Sequence, residues 1–391
     1  MAGRPVLHMS VVSDYSAVGH YRIIFPEMRM RTITSSMSFM ESSVYVGDPN
    51  AYRTVRTVKI QRPCTDAQYG FLERFLKPLS DRLGFWIVMD VDDCLCHDDI
   101  PPYNVAKSAI TEQATENLRK SMGLVDVITT TTAYLRDYYV RRFGIPEGKF
   151  MLIPNYLPRW WIGGSFNPNA TMWHFNQDLK DGRLKVAFAC GGNHYDLRNQ
   201  NGGVDDFTHL VEWMRSSSKD FEFHFVGSVP RQLEDLRAEG RIKVDPAMDV
   251  LNYPREVYER HYDLWICPLQ DNVFNRCKSN IKLIEAWAMG VPVLVQRCEC
   301  YDRFTPDTFT DADSLDRLVS EAVRNPRSVM ERVVAGRRIV DSGDNNSPKG
   351  WWLENNMDRH AQVYYAMQKT MKVDLRSAAE PPAEVQEGSD A

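Results

Sequence analysis

The feature that most constrains this chain is a pattern that occurs twice. Short apolar runs alternate with segments of helical period, a breaker-rich stretch intervenes, and the alternation restarts. In the first half PVLHMSVV (5–12), SVYVG (43–47), GFWIVMD (84–90), VDVITT (125–130) and KFMLIP (149–154) read as strands. Between them NVAKSAITEQATENLRKSMG and TAYLRDYYVRRFG read as amphipathic helices, the second closed by Gly144 with Pro146 beyond it. NYLPRWWIGGSFNPNATMWHF (155–175) shows no period and many breakers, so it reads as a linker. The strands then resume with LKVAFACGG (184–192), FEFHFVG (221–227), RIKV (241–244), YDLWICPL (262–269) and VPVLVQ (291–296), separated by helical segments such as 204–218 and 279–289. Two alternating βα halves predict an α/β protein of two doubly wound domains. Ligands of such sheets bind beyond the carboxyl ends of the strands, here in the cleft between the domains.

Length and charge narrow the class. With 391 residues, 43% of them hydrophobic, the chain can bury a large core, and the length favours two domains over one. A formal net charge of -5 gives no global basic field for nucleic acid or an anionic membrane. The N-terminus has no apolar stretch of signal-peptide length, and no run reaches the roughly 20 apolar residues of a membrane span. A soluble cytoplasmic protein is the expectation. The tail RSAAEPPAEVQEGSDA (376–391) has too few apolar residues to fold and is expected to be disordered.

Eight cysteines are too sparse for a disulfide framework, and Cys190 and Cys267 sit inside apolar runs as small core residues. The pairs Cys94/Cys96 and Cys298/Cys300, with His97 adjacent, are spaced more tightly than the usual zinc pair, so free thiols are expected. The acid-rich stretch IVMDVDDCL resembles the first motif of HAD-type phosphatases, with Asp90 as nucleophile and Asp92 as acid. The Thr that normally follows is Cys94 here, and no later acidic pair completes a magnesium site. The Asp-x-Asp metal motif of GT-A transferases fits the same letters, but that fold has one domain. A structural or cleft-lining role is therefore expected for these acids, with no bound metal.

In PLQDNVFNRCKSNIKLIEAWAMGVPVLVQ (268–296), Ile281, Ile284 and Ala288 recur at helical spacing and can face a core, while Lys278, Lys282 and Glu285 share the other, outward side. Lys278 and Ser279 stand where that helix should begin. Free N–H groups, the helix dipole, a hydroxyl and an ammonium there would suit a phosphate. Glu285 could accept hydrogen bonds from vicinal hydroxyls such as those of a ribose. Read from spacing alone, the same stripe also fits a solvated face with ordinary charge pairs.

This segment resembles the donor-binding region of GT-B glycosyltransferases of the retaining, group 1 type. The stretch VDVITTTTAYLRDYYVRRFGIPEGKFMLIPN (125–155) resembles that family's approach to its interdomain linker, and CGGNHYD (190–196) its phosphate-proximal glycine loop. The resemblance runs to about residue 371. It implies two Rossmann-like domains facing a central cleft: an acceptor-side domain (1–155), a linker (156–182), a nucleotide-sugar domain (183–346), a C-terminal helix returning towards the first domain (347–371) and a tail (372–391). It implies transfer of a sugar from a nucleotide-sugar donor, such as a UDP-sugar, to an acceptor hydroxyl, with retention and without metal or further cofactor. Lys278, His194 and Arg198 are the implied catalytic groups. Arg276 is the alternative to Arg198 for neutralising the departing diphosphate. Gly19, Gly191, Gly192, Asp196, Asn275, Ser279, Asn280, Lys282 and Glu285 are the implied donor contacts. His20, Arg22, Asp92 and Asp93 fall on the acceptor side, where Arg22 could equally be a solvated side chain.

One departure matters. The family's Glu-x7-Glu pair would place its first acid at Cys277, so another group must do that acid's work, or the chain is a degenerate sugar-nucleotide-binding protein. The acceptor stays open among glycan, lipid, small metabolite and, because VGHYRIIFP and DVDD resemble phage-encoded members, hydroxymethylated phage DNA in a host cytoplasm. For DNA speaks a local excess in the first 62 residues of Arg4, Arg22, Arg29, Arg31, Arg53, Arg56, Lys59 and Arg62 over Asp14, Glu27, Glu41 and Asp48. A monomer or weak homodimer is expected.

Overall fold

The structure is a computed structural model that describes residues 6–163, 166–188, 191–199, 201–217, 221–301 and 308–364. Its frame is two six-stranded sheets. The first holds β1 (Val6–Val11), β2 (Met37–Ser42), β3 (Val55–Gln61), β4 (Trp86–Asp90), β5 (Val127–Thr130) and β6 (Phe150–Leu152), in the order β2-β1-β3-β4-β5-β6. The second holds β7 (Leu184–Phe188), β8 (Phe221–Val226), β9 (Ile242–Asp245), β10 (Leu264–Cys267), β11 (Val293–Gln296) and β12 (Thr308–Phe309), in the order β12-β11-β10-β7-β8-β9.

Every pairing is parallel. Helices therefore cover both faces, which is why β4 and β10 read as near-continuous apolar runs. In each sheet the first strand of the half lies inside the sheet, β1 between β2 and β3 and β7 between β8 and β10. The strand order reverses there, and the loops leaving the two adjacent carboxyl ends diverge to leave a crevice.

Three local expectations differ from what the chain does. Segment 43–47 forms no strand; the edge strand β2 precedes it at Met37–Ser42. Val55–Gln61, whose apolar run is broken by Arg56 and Lys59, is an inner strand, and Lys59 is buried within it. The stretch expected to be an irregular linker holds the helix Pro168–Lys180. Its start is specified locally, with Asn167 accepting the Ala170 N–H and Pro168 in the first turn. The second helix of the first half ends as read, at Gly144 with φ 67. Cys190, Arg4 and the tail 376–391 lie outside the described residues.

The two sheets share one apolar cluster that includes Tyr21, Phe25 and Val88 from the first half and Trp265, Ile284 and Val295 from the second. The C-terminal segment crosses back along it. Leu157 N–H donates to Trp351 O at 2.9 Å and Leu353 N–H to Leu157 O at 2.9 Å. A helix from 357 to 364 then reaches the first sheet, where the Tyr364 hydroxyl donates to Glu27 at 2.9 Å and its ring packs on His8. No helix of the described residues is long and apolar enough to cross a membrane.

Candidate functional site

Two adjacent cavities lie between the sheets and share part of their walls. The larger, about 730 Å³, takes Gly191 and Gly192 beyond β7, Gly227 and Ser228 beyond β8, and 247–250 beyond β9, facing Tyr15, Ser16 and Ala17 beyond β1. The smaller, about 230 Å³, takes His194 beyond β7 and Pro268 and Leu269 beyond β10, facing Arg62 beyond β3 and Asp92 and Asp93 beyond β4. Ala17, Tyr21, Gly191, Lys282 and Glu285 line both. The crevices of the two sheets thus lie side by side, and the chemistry-bearing loops of both halves meet there.

Glu285 sits on the helix Ile281–Met289, where Ile284 and Ala288 are fully buried as their spacing predicts. Glu285 does not look outward with them reversed; it is only 3% exposed. One of its oxygens accepts the Tyr21 hydroxyl, and the other accepts Tyr253 Oη and Lys282 Nζ, each at 3.2 Å. Tyr21 reaches it because the helix that begins at Ala17 widens into a π-helical turn at His20–Ile24. The Trp161 ring stacks on Tyr253 at 6.0 Å and meets Tyr21 edge-on at 5.5 Å. A buried carboxylate ringed by hydroxyls and aromatic faces therefore forms one wall of the larger cavity.

Cations gather in the smaller one. Lys278 lies in the loop before the helix rather than in its first turn, with Nζ 3.9 Å from Asp93 and 4.6 Å above the Phe274 ring. Arg62, in the left-handed region at φ 49, donates to Asp92 at 2.6 Å. Burial raises the Asp92 pKa, and Arg62 opposes it. Ser279 Oγ accepts Asn155 Nδ2 across the domains at 3.0 Å. His194 Nδ1 lies 2.7 Å from Asp206, a fully buried carboxylate that also accepts Tyr103 Oη at 2.8 Å and Gln270 N at 2.9 Å. With Nδ1–H given to Asp206, His194 presents Nε2 for contact from the cavity it lines.

Several predicted residues stand elsewhere. Asn275 is buried, with Nδ2 on Asp206 at 3.0 Å and Gln270 O at 2.9 Å, so it ties the loop down. Asp196 is also buried and accepts the N–H groups of Asn201 and Gly203, organising its own loop. Arg198 is exposed and reaches Ser108 at 3.1 Å, outside both cavities. Arg276 is held by Asp271 through two contacts of 2.6 Å. Gly19 lines neither cavity: its missing Cβ makes room for the Asp14 carbonyl, 1.9 Å from where that atom would be. His20 is buried, with Nδ1 on Ser16 O, and packs on Phe25. Asn280 lines a separate cavity beyond Lys278.

Arg22 lines the smaller cavity but is not a solvated side chain. It is 1% exposed and grips Asp90 through Nε and through Nη2 at 2.8 Å, with Nη1 on Asn155 at 3.1 Å. Thr129 also donates to Asp90. Burial raises the Asp90 pKa, but the Arg22 and Lys59 charges and the hydrogen bonds from Arg22 and Thr129 outweigh it and hold the carboxyl at about 2. Such a carboxylate is a structural counter-ion, as a cleft-floor reading expects and a phosphatase nucleophile would not be. Cys94, Cys96 and Cys277 are free and fully buried, with the Cys277 thiol against Cys94 and outside both cavities. Among the described residues no group of His, Cys, Asp and Glu could hold a metal ion.

Sequence reasoning missed Arg62 as a site residue, and with it Trp161 and Tyr253. Their positions depend on the pairing of two sheets and leave no local spacing to read.

No family model and no curated protein matches the chain. Solved structures do. Anabaena HepE, crystallised in complex with UDP, is similar over 93% of this chain and 100% of its own, with a TM-score of 0.60 at 8% identity. Sucrose-phosphate synthase from Thermosynechococcus elongatus covers 94% and 100%, with a TM-score of 0.56 at 13% identity. A glycosyltransferase from Rickettsia africae covers 94% and 100%, with a TM-score of 0.55 at 10% identity. At such identities the likeness is one of fold. The two parallel sheets with their flanking helices and central cleft are a GT-B fold of two Rossmann-like domains.

Proposed function

We propose that the protein is a glycosyltransferase that binds a nucleoside-diphosphate sugar in this cleft and moves the sugar to an acceptor hydroxyl. The observation that carries this reading is the adjacency of a nucleoside-sized cavity, walled by the buried Glu285, and a smaller one faced by Arg62, Lys278 and Lys282. Ribose hydroxyls would replace the Tyr21 and Tyr253 hydroxyls on Glu285, an exchange of like donors that costs little. The diphosphate would then lie among the three cations, which meet its charge as it departs. That assigns the neutralisation to side chains rather than to a divalent metal. The UDP bound by the similarly folded HepE supports a uridine donor.

We infer retention from the resemblance, and two acids of the DVDD stretch are already committed: Asp90 is locked to Arg22, and Asp92 is held by Arg62. A donor phosphate oxygen would take the acceptor proton. His194, oriented by Asp206, and Asp93, on the opposite wall, are placed to hold sugar hydroxyls. Asp93 is the group that would stand in for the acid absent at Cys277.

Four of the eight N-terminal cations do not contribute to an exposed phosphate-tracking face. Arg22 and Lys59 are buried, Arg62 turns into the cleft and Arg31 pairs with Glu41. That halves the charge on which a DNA acceptor rested and favours glycan, lipid or small-metabolite hydroxyls.

The test is release of nucleoside diphosphate from a panel of nucleotide sugars, with acceptors varied, by wild type and Lys278→Ala. If Lys278 meets charge that grows in the transition state, the variant loses kcat and kcat/KM together by about 10- to 100-fold, the worth of a contact of ~1.5–3 kcal/mol. Binding without turnover on any acceptor would instead mark a degenerate sugar-nucleotide-binding protein, and wild-type kinetics in the variant would remove Lys278 from the site.

A further inference from the structure

A third cavity, about 140 Å³, opens on the flank of Lys278 away from the nucleoside cavity. Lys278 lines both it and the cation-faced cavity, so the two are separated by one side chain. Its walls bring Arg359 and Arg276, the latter paired with Asp271, to that lysine, and the one acid in the lining is Glu299. The first turn of the helix Ala133–Phe143 forms another wall, with the Thr132 side chain capping Leu135 N–H, and the positive end of that dipole favours an anion.

Two donors here are unused. The Arg359 guanidinium makes no hydrogen bond or ion pair among the described residues. Asn280 lines the same cavity, is 5% exposed, and its Nδ2 is buried without a hydrogen-bond partner. A buried amide left unpaired is costly, and an oxyanion would satisfy it and the guanidinium together. The space is several times the ~30 Å³ share of one water, enough for a single oxyanion group and too small for a nucleotide.

We propose that this cavity binds one phosphate or carboxylate group separately from the donor diphosphate, and that the group is carried by the acceptor. The second half rests on the glycosyltransferase reading, which requires an acceptor beside the donor diphosphate, and this cavity adjoins that site at Lys278. The first half does not.

Isothermal titration of inorganic phosphate and of glycerol 3-phosphate into UDP-saturated protein tests both halves. Each is expected to bind with UDP in place and to weaken about tenfold in Arg359→Ala, with UDP affinity within about twofold of wild type. Arg359→Lys, which keeps the charge, should recover much of the loss and shows that the alanine effect is not misfolding. Displacement of either anion by UDP, or equal binding in Arg359→Ala, would overturn the site. Binding of the free ion without the ester would overturn its assignment to the acceptor. Should UDP itself fail to bind, the uridine donor falls, while phosphate titrated into wild type and Arg359→Ala still decides this cavity.

Discussion

Asp90 illustrates how a carboxylate in a nucleophile-like motif is committed to structure. It is fully buried, faces Arg22 and Lys59, and through Arg22 and Asn155 connects by hydrogen bonds to Ser279 in the donor loop. Removing its charge leaves two buried cations without their shared counter-ion, and breaking a buried pair this way costs about 3–5 kcal/mol. Asp90→Asn should therefore lower denaturant stability by that order while leaving the folded fraction active. The acid response gives a second readout. Because the folded pKa is depressed to about 2, its stabilisation is present above the unfolded value and is lost as pH falls through about 2. The variant should lack that part of the acid-denaturation slope, measured by circular dichroism. Abolished activity in a fully folded Asp90→Asn protein would restore the nucleophile reading.

At the scale of elements, the loop after β1 is held by one close approach. A Cβ at Gly19 would lie 1.9 Å from the Asp14 carbonyl, so Gly19→Ala must push the 14–17 loop off the larger cavity it lines. Overpacking of this kind costs roughly 1–3 kcal/mol. A lower melting temperature together with weaker nucleotide binding is expected; an unchanged melt and unchanged binding would mean the loop moves freely. Elements were legible where local pattern and tertiary setting agree, as in β4, β10 and the helix closed by Gly144. They were not where tertiary burial overrides local character. Lys59 makes β3 look polar, yet it is neutralised inside the sheet, and Pro168 looks like a breaker where it starts a helix. The same division runs through the site. Lys278, Lys282 and Glu285 lie within eight residues and share a visible spacing, whereas Tyr21 is 264 residues from the Glu285 it touches.

For the whole molecule, the helix 357–364 clamps onto the first domain through Tyr364 and Glu27. Burial raises the Glu27 pKa, hydrogen bonds and Lys59 oppose it, and the net value is about 8. The protonated acid is the folded form, so its stabilisation is complete below the unfolded value of about 4.5 and is lost as pH rises through 8. Melting temperature should fall across that window in wild type and flatten in Glu27→Gln; identical pH profiles would contradict a buried neutral Glu27. The central claim concerns the cleft these domains enclose. Titration calorimetry of nucleoside diphosphates, UDP among them, into wild type and Glu285→Gln tests it most directly. At least one should bind wild type, with affinity about 10- to 100-fold lower in Glu285→Gln, as loss of charge-assisted bonds to ribose requires. No binding by any of them, or equal affinity in the two proteins, would contradict a nucleotide-sugar site at Glu285.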